Sequence, residues 1–445
     1  MKFTLTPASN QSGNNFAWRI LLIAFCLRII PVILTRQLGI GLDDMFQYDM
    51  LARSLSAGNG FRWYALEDLE MLKPYVDFDL TSVDYDPIRG VETSFRAPFY
   101  PAFLSLVYLL AGAGTNRFFA ARLVQAMLGA VLTPLTYFVS KHLIPGNERA
   151  AKVSAWIVAS YPILLVYPLG LGTENLFFLL LLMSVLVLLQ TGKRPSPGMF
   201  LLSGFFLGLT ALTRSVILLF AGFALVWIGF VLKQKRGAII ALLALVMTIS
   251  PWVIRNSLLH QRLTGIETSM GYNLYLGYHP QGNGSFIFGP SLDLLTILDD
   301  AERDRIGTQK AVEFIRAEPE RFLPLAINRL GFFFGLEKRV LMYFYGDNVL
   351  GYIPLPALMS LFLLIILPFV VISISAALGV AILPMHPPVI LLGILFITYI
   401  LPHVLILSED RFHLALVPFI AILAAHLWTS GLPSIIFRWK ESNLG

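Results

Sequence analysis

Ten segments of this chain are apolar over about the distance needed to cross a lipid bilayer, and few folds can accommodate that. They run through residues 16–36, 117–140, 151–168, 175–191, 198–213, 215–232, 237–254, 353–376, 388–407 and 411–429. A hydrocarbon core of roughly 30 Å takes about 20 helical residues to span. Within it every backbone amide and carbonyl needs a partner inside the protein, which a helix supplies by itself. Charge is correspondingly scarce: 13% of the 445 residues are charged and 56% are hydrophobic. A soluble domain of that size needs far more charge to cover its surface. The first run follows a polar stretch ending at Asn15 and is not followed by a small-residue cleavage pattern. It reads as a retained first helix rather than a cleaved signal. The expectation is an all-α polytopic membrane protein of about ten transmembrane helices.

Residues 198–232 need separate treatment. A single helix of that length measures about 52 Å, and Arg214 sits at its middle. A guanidinium at the bilayer centre costs roughly 2.5–3.5 kcal/mol on insertion scales. A break at Thr213-Arg214-Ser215 removes both difficulties. Gly204 and Gly208, four apart in the same stretch, suit close helix packing.

Lysine and arginine set the expected orientation. The net charge of +6 is scattered into short clusters at Lys141/Arg149/Lys152, Lys193/Arg194, Lys233/Lys235/Arg236 and Arg438/Lys440, which is not the pattern of a nucleic-acid surface. All four fall on one side if the N-terminus is cytoplasmic. Two long segments, 37–116 and 255–352, then face away from the cytoplasm, and they hold 22 of the 27 acidic residues. Aqueous chemistry is therefore expected on that face. Keeping the 141–152 cluster inside requires 98–114 to lie along the outer interface, and 322–336 reads the same way. The chain is expected to be a single membrane domain, residues 1–445. Its lone cysteine, Cys26, lies in the first apolar run, so no intrachain disulfide forms.

The residues able to do chemistry fall in and around those outer segments. Asp43 and Asp44 directly follow the first span, and Asp44 and Tyr48 share a face if residues 45–57 are helical. A carboxylate at the mouth of a membrane cavity is placed to act as a general base; an aspartate there is equally a favoured helix cap. Glu174, the lone acid between Glu148 and Glu267, falls at an outer turn, either as a functional group or as a helix-start acid favoured by the dipole. Arg96, Arg214, Arg255 and Arg411 arrive at one level of the membrane from four separate turns. Guanidinium groups grip phosphate oxygens bidentately and stay charged, although any single one is also consistent with interfacial snorkelling. The segment 268–288 is rich in glycine, tyrosine and asparagine, which suits sugar rings or an ordinary tight-turn loop. Asn273 and His279 within it, with Tyr48, Tyr100 and Asn256, are the candidate substrate contacts. No set of His, Asp and Glu has metal-ligand spacing, so no metal site is assigned and His279 reads as a loop histidine.

Taken in chain order, these pieces resemble the GT-C superfamily of lipid-linked glycosyltransferases, in particular the protein O-mannosyltransferases and the aminoarabinose transferases that modify lipid A. The resemblance rests on Asp44 with Tyr48 after the first span and on the RAPFYP stretch from Arg96. It continues through the TEN turn at Glu174, the LTR ending at Arg214, PWVIRN around Arg255 and DRFHLALVPF from Asp410, and covers about residues 16–429. It implies a GT-C-like bundle in which Asp44 is the catalytic base, with Asp43 able to substitute. It implies Glu174 as a second acidic position and basic residues near Arg96 and Arg411 on the donor phosphate.

The activity expected is transfer of a sugar, with inversion, from a polyprenyl-phosphate donor to a glycan, lipid or protein acceptor on the extracytoplasmic face of a prokaryotic plasma membrane. No obligatory cofactor is expected, a divalent ion is not required, and nucleic acid is not a partner. A transporter or flippase of lipid-linked glycans is the alternative.

Overall fold

The computed structural model describes residues 7–336 and 351–430. Residues 337–350, within the second long loop, and the Arg438/Lys440 cluster lie outside the described residues. Among the described residues seven helices are long and apolar enough to cross a membrane. An eighth crossing is the bent pair Glu148–Ser160 and Pro162–Leu169, which meet at 55°. The expected hairpin is present as two shorter helices, Pro197–Thr213 and Ser215–Val231. At 17 residues the first of these is about 25 Å long, which accounts for the difference between seven or eight long spans and the ten expected.

Two helices form the centre of the bundle. Glu174–Lys193 is 78% buried and Phe412–Ser430 is 83% buried over their most apolar windows. Lys235–Leu259 and Leu355–Ala381 are 22% and 17% buried, so they present most of their apolar surface outward, as helices against lipid do. The glycine pair works as its spacing suggests. A Cβ on Gly204 would meet the Ala241 carbonyl at 2.0 Å, and one on Gly208 would meet Thr248 at 2.6 Å. Pro197–Thr213 therefore touches Lys235–Leu259 backbone to backbone.

The bend at residue 161 has a clear cause. Pro162 has no amide hydrogen and cannot continue the preceding helix, and Tyr161 takes an extended conformation. The break frees the carbonyls of Val158 and Ala159. Arg28, fully buried in the first helix, donates to them at 2.9 and 3.2 Å.

The segments 37–116 and 255–336 fold together rather than separately. The strands Arg62–Trp63 and Val91–Glu92 pair antiparallel. A small core joins Phe46, Met50, Trp63 and Phe95 of the first segment to Leu298 of the second. Within the second, Gly271 and Gly307 let Met270–Tyr278 and Asp300–Ala317 cross in backbone contact, since a Cβ on Gly271 would lie 1.9 Å from the Asp304 carbonyl. The helices expected at 98–114 and 322–336 are present as Phe99–Ala111 and Phe322–Phe333.

Candidate functional site

The aspartate pair divides its labour. Asp43 is the N-cap of the Asp44–Ser56 helix, and its carboxylate accepts the Met45 amide at 2.9 Å. Asp44 is the first helical residue, so Gln47 and Tyr48 follow one turn later on the same face. The cap reading therefore holds for Asp43, and Asp44 keeps its carboxylate for other partners.

Asp44 stands between two guanidinium groups. Arg96 donates to its Oδ1 and Arg411 to its Oδ2 at 3.0 Å. Arg96 is steadied from behind by Gln47, whose Oε1 takes its Nε at 2.8 Å and Nη2 at 2.6 Å. Arg411 lies 3.6 Å from Glu174 and 2.9 Å from Glu409. Glu174 in turn accepts Arg214 at 2.9 Å. The result is a continuous alternation of charge, Arg96, Asp44, Arg411, Glu174, Arg214, drawn from five separate parts of the chain.

Local structure explains each delivery. Arg214 is the extended residue between Pro197–Thr213 and the turn Ser215–Ile217, so the break inferred from its charge is what aims it. Glu174 opens its helix, where the helix dipole favours a carboxylate. Gly172 leaves space for that carboxylate, because a Cβ there would meet Glu174 Oε2 at 2.6 Å. Arg411 precedes the turn Phe412–Leu416 that leads into the last helix.

Electrostatics keep the two arginines on Asp44 charged. Burial works against the charge on Arg96, but Asp44, Tyr48 and Glu267 outweigh it and raise its pKa. Burial is likewise overcome at Arg411 by Glu409, Glu174 and Asp44, which hold it well above the ordinary value. Tyr48 is pushed up to about 12, chiefly by burial, so its hydroxyl stays protonated. Its ring stands edge-on to Tyr100 with centroids 5.1 Å apart.

Asp44, Glu174 and Arg411 line a half-open cavity whose empty space, its open side included, is about 960 Å³. Its walls are mostly apolar, with Leu38, Met45, Ile163, Val166, Leu171 and Leu414 among them, and Tyr48 also lines it. Among the described residues no three His, Cys, Asp or Glu side chains converge as a metal-ligand set.

Five of the sequence candidates lie elsewhere. Arg255 donates to the Thr93 carbonyl at 2.6 Å and stacks over Trp252 at 5.0 Å, because the end of its helix packs against the 92–95 segment. Asn256 is buried and closes the following loop through the carbonyls of Gly265 and Ile266. Tyr100 donates to Gln125 at 2.8 Å and supports Tyr48 from behind. Asn273, on Met270–Tyr278, does not line the cavity, nor does His279, which packs on Tyr275 and Phe314. Three participants were not picked out beforehand: Gln47, Glu409 and Glu267. Gln47 was readable from its spacing to Asp44. Glu267 was not, since its role depends on accepting Ser215 beside Arg214.

Known proteins bear on this arrangement at two levels. Residues 95–254, the stretch carrying Arg96, Glu174 and Arg214, match the family described as dolichyl-phosphate-mannose-protein mannosyltransferase. Among curated proteins no sequence matches the chain. In structure, 99% of the chain superposes on the oligosaccharyltransferase AglB of Archaeoglobus fulgidus, solved with an inhibitory peptide and a dolichol-phosphate, at a TM-score of 0.54 and 14% identity. The fold is of the GT-C type. A second structure of the Archaeoglobus fulgidus oligosaccharyltransferase, with Zn and sulfate, gives a TM-score of 0.52 at 15% identity over 96% of this chain. This chain spans about half the length of those proteins, 53% and 50%. ArnT of Cupriavidus metallidurans bound to undecaprenyl phosphate aligns over 94% of this chain and 77% of its own, with a TM-score of 0.40 and 14% identity. The expected multi-pass fold thus holds on the AglB superposition and on the apolar helices.

Proposed function

We propose that this protein is a membrane glycosyltransferase that moves a sugar from a polyprenyl-phosphate donor to an acceptor hydroxyl or amine. The observation that carries this reading is the Asp44 carboxylate held between Arg96 and Arg411 at the mouth of an apolar cavity. The cavity wall suits an isoprenoid chain, and the arginines suit the phosphate that ends it. The fold relative AglB was solved with a dolichol-phosphate, which is a donor-carrier of the same chemistry.

In this reaction the acceptor X–H loses its proton to Asp44 as X bonds to the anomeric carbon. The bond from that carbon to the phosphate oxygen breaks with inversion, and the polyprenyl phosphate leaves with the electron pair. Arg96, Arg411 and Arg214 stabilise the charge that develops on it, so an obligatory divalent ion is not needed. Glu174 holds Arg411 and Arg214 apart in the right places. The segments 37–116 and 255–352 are the extracytoplasmic face of one domain, in a prokaryotic plasma membrane.

The test is transfer of radiolabelled sugar from synthetic polyprenyl-phosphate donors by detergent-purified protein, with a membrane extract as acceptor and with EDTA in a parallel series. Label should move into an acceptor in wild type, with or without EDTA, and not in Asp44→Asn. Absence of transfer across the donor panel, with lipid-linked glycan crossing reconstituted vesicles instead, replaces this reading with a flippase.

A further inference from the structure

We propose that Asp300, on the second long segment, is a positioning residue that fixes Arg96 against Asp44 by clamping the dipeptide Thr93-Ser94. The proposal rests on the transferase reading for what Arg96 does, and on geometry alone for how it is held.

Thr93 and Ser94 follow the short strand Val91–Glu92 and precede Arg96 by three and two residues. Both are fully buried, yet they belong to no ladder or helix. Backbone groups in that situation need partners from elsewhere, and every one of theirs has one. The Thr93 amide donates to the Phe61 carbonyl at 3.2 Å, and its own carbonyl accepts Arg255 at 2.6 Å. The Ser94 carbonyl accepts the Thr268 amide at 3.0 Å, and the Ser94 hydroxyl meets His260 at 2.7 Å and Thr268 at 3.0 Å.

Asp300 supplies the rest. Its Oδ2 accepts both the Thr93 hydroxyl at 2.6 Å and the Ser94 amide at 2.7 Å. The Thr93 hydroxyl also accepts the Phe95 amide at 3.0 Å, so the clamp reaches the residue next to Arg96. The other oxygen of Asp300 pairs with Arg303, and neither side chain of that pair is exposed. The Arg303 guanidinium lies 4.5 Å from the Phe95 ring, whose centroid is 5.1 Å from the Arg96 guanidinium.

The same brace reaches a second arginine of the site. Thr268 is bonded to Ser94, and its neighbour Glu267 accepts the amide and hydroxyl of Ser215, the residue after Arg214. One buried carboxylate thus stands behind the register between two guanidinium groups. A displacement of about 1 Å at a reacting centre can cost on the order of 100-fold in rate. Arg255 belongs to this brace rather than to the phosphate set.

The experiment is a double-mutant cycle on folded, monodisperse protein, with hydrogen exchange measured alongside. Asp300→Asn and the milder Thr93→Val should each lower kcat by about 10–100-fold. Added to Arg96→Lys, either should cost no more than about threefold further, because residues acting through one group do not add. Amide exchange should rise in peptides covering residues 93–97 and stay unchanged in the central helices. Fully multiplicative losses, or wild-type kcat in folded Thr93→Val and Asp300→Asn, overturn the proposal. If wild type transfers no sugar from any donor, the transferase reading falls. Exchange then decides this one, and unchanged exchange at 93–97 in both variants overturns it.

Discussion

Asp44 gives one carboxylate oxygen to Arg96 and the other to Arg411, so the group proposed as the base begins the cycle held between two cations. Its neighbour Asp43 spends its carboxylate on a helix cap. The two should therefore separate on mutation. Asp44→Asn should fold and lose about 10²–10⁴ in kcat. Asp43→Ala should cost about 1 kcal/mol of stability through the lost cap and keep at least about a tenth of turnover. Thermal melts and transfer assays on the two variants check this. Full activity in the double variant Asp43→Asn, Asp44→Asn would falsify the assignment.

Arg96 and Arg411 have to exchange a carboxylate for a phosphate during the reaction. Replacing either by lysine removes the planar fork while keeping the charge. The loss of a charge-assisted bond of about 1.5–3 kcal/mol should weaken donor binding about 10–100-fold. Titration of polyprenyl phosphate against each variant measures it. Unchanged donor affinity in both variants would place the phosphate elsewhere.

The sequence made the spans legible because each one is a long apolar run, and the break at Arg214 legible because a central charge forbids a single helix. Asp44, Glu174, Arg214, Arg96 and Arg411 were legible because charges in a chain this apolar must sit at a boundary. Arg255 looked the same by that criterion, yet it points at the Thr93 carbonyl. Level in the membrane can be read from hydropathy, whereas direction around the helix end depends on what the loops pack against. Asp300 was invisible for the same reason, since its partners lie 207 and 206 residues away.

Asp49 should matter to stability rather than to turnover. It is 1% exposed and receives Arg53 at 2.9 Å, Arg117 at 2.8 Å and the Tyr108 hydroxyl at 2.8 Å. That ties Asp44–Ser56 to Phe99–Ala111 and to the start of Arg117–Leu143. Asp49→Ala leaves the half-buried Arg117 without its carboxylate and the buried Tyr108 hydroxyl without its acceptor, while Arg53 keeps Glu67 and Asp68, and should destabilise by about 1–3 kcal/mol. Denaturant titration in detergent measures this, and an unaltered midpoint would contradict it.

Acid should loosen the brace around Ser94. Burial lowers the pKa of His260, although Asp300 and Asp299 pull the other way and Arg262 and Arg255 reinforce the drop. The folded protein therefore holds this histidine neutral where the unfolded chain would protonate it. The unfolded state binds more protons, so stability rises with pH through that window. It is present above the unfolded histidine pKa of about 6.5 and is lost progressively as pH falls below it. The melting temperature should drop between pH 7.5 and pH 5.5, and less so in His260→Gln. An equal drop in both proteins would assign the acid sensitivity to other groups.

Arg28 offers the sharpest test of how the cavity wall is held. Its guanidinium caps the Val158 and Ala159 carbonyls freed by the break at Tyr161. The short helix after that break carries Ile163 and Val166, which line the cavity. Arg28→Met keeps much of the volume and leaves both carbonyls without that donor, at about 1–3 kcal/mol for each buried group. The melting temperature should fall and donor affinity should weaken together, since one bend controls both. Arg28→Lys, which can still reach a carbonyl, should fall between methionine and wild type. A methionine variant with wild-type melting and donor binding would mean that Pro162 alone sets the bend.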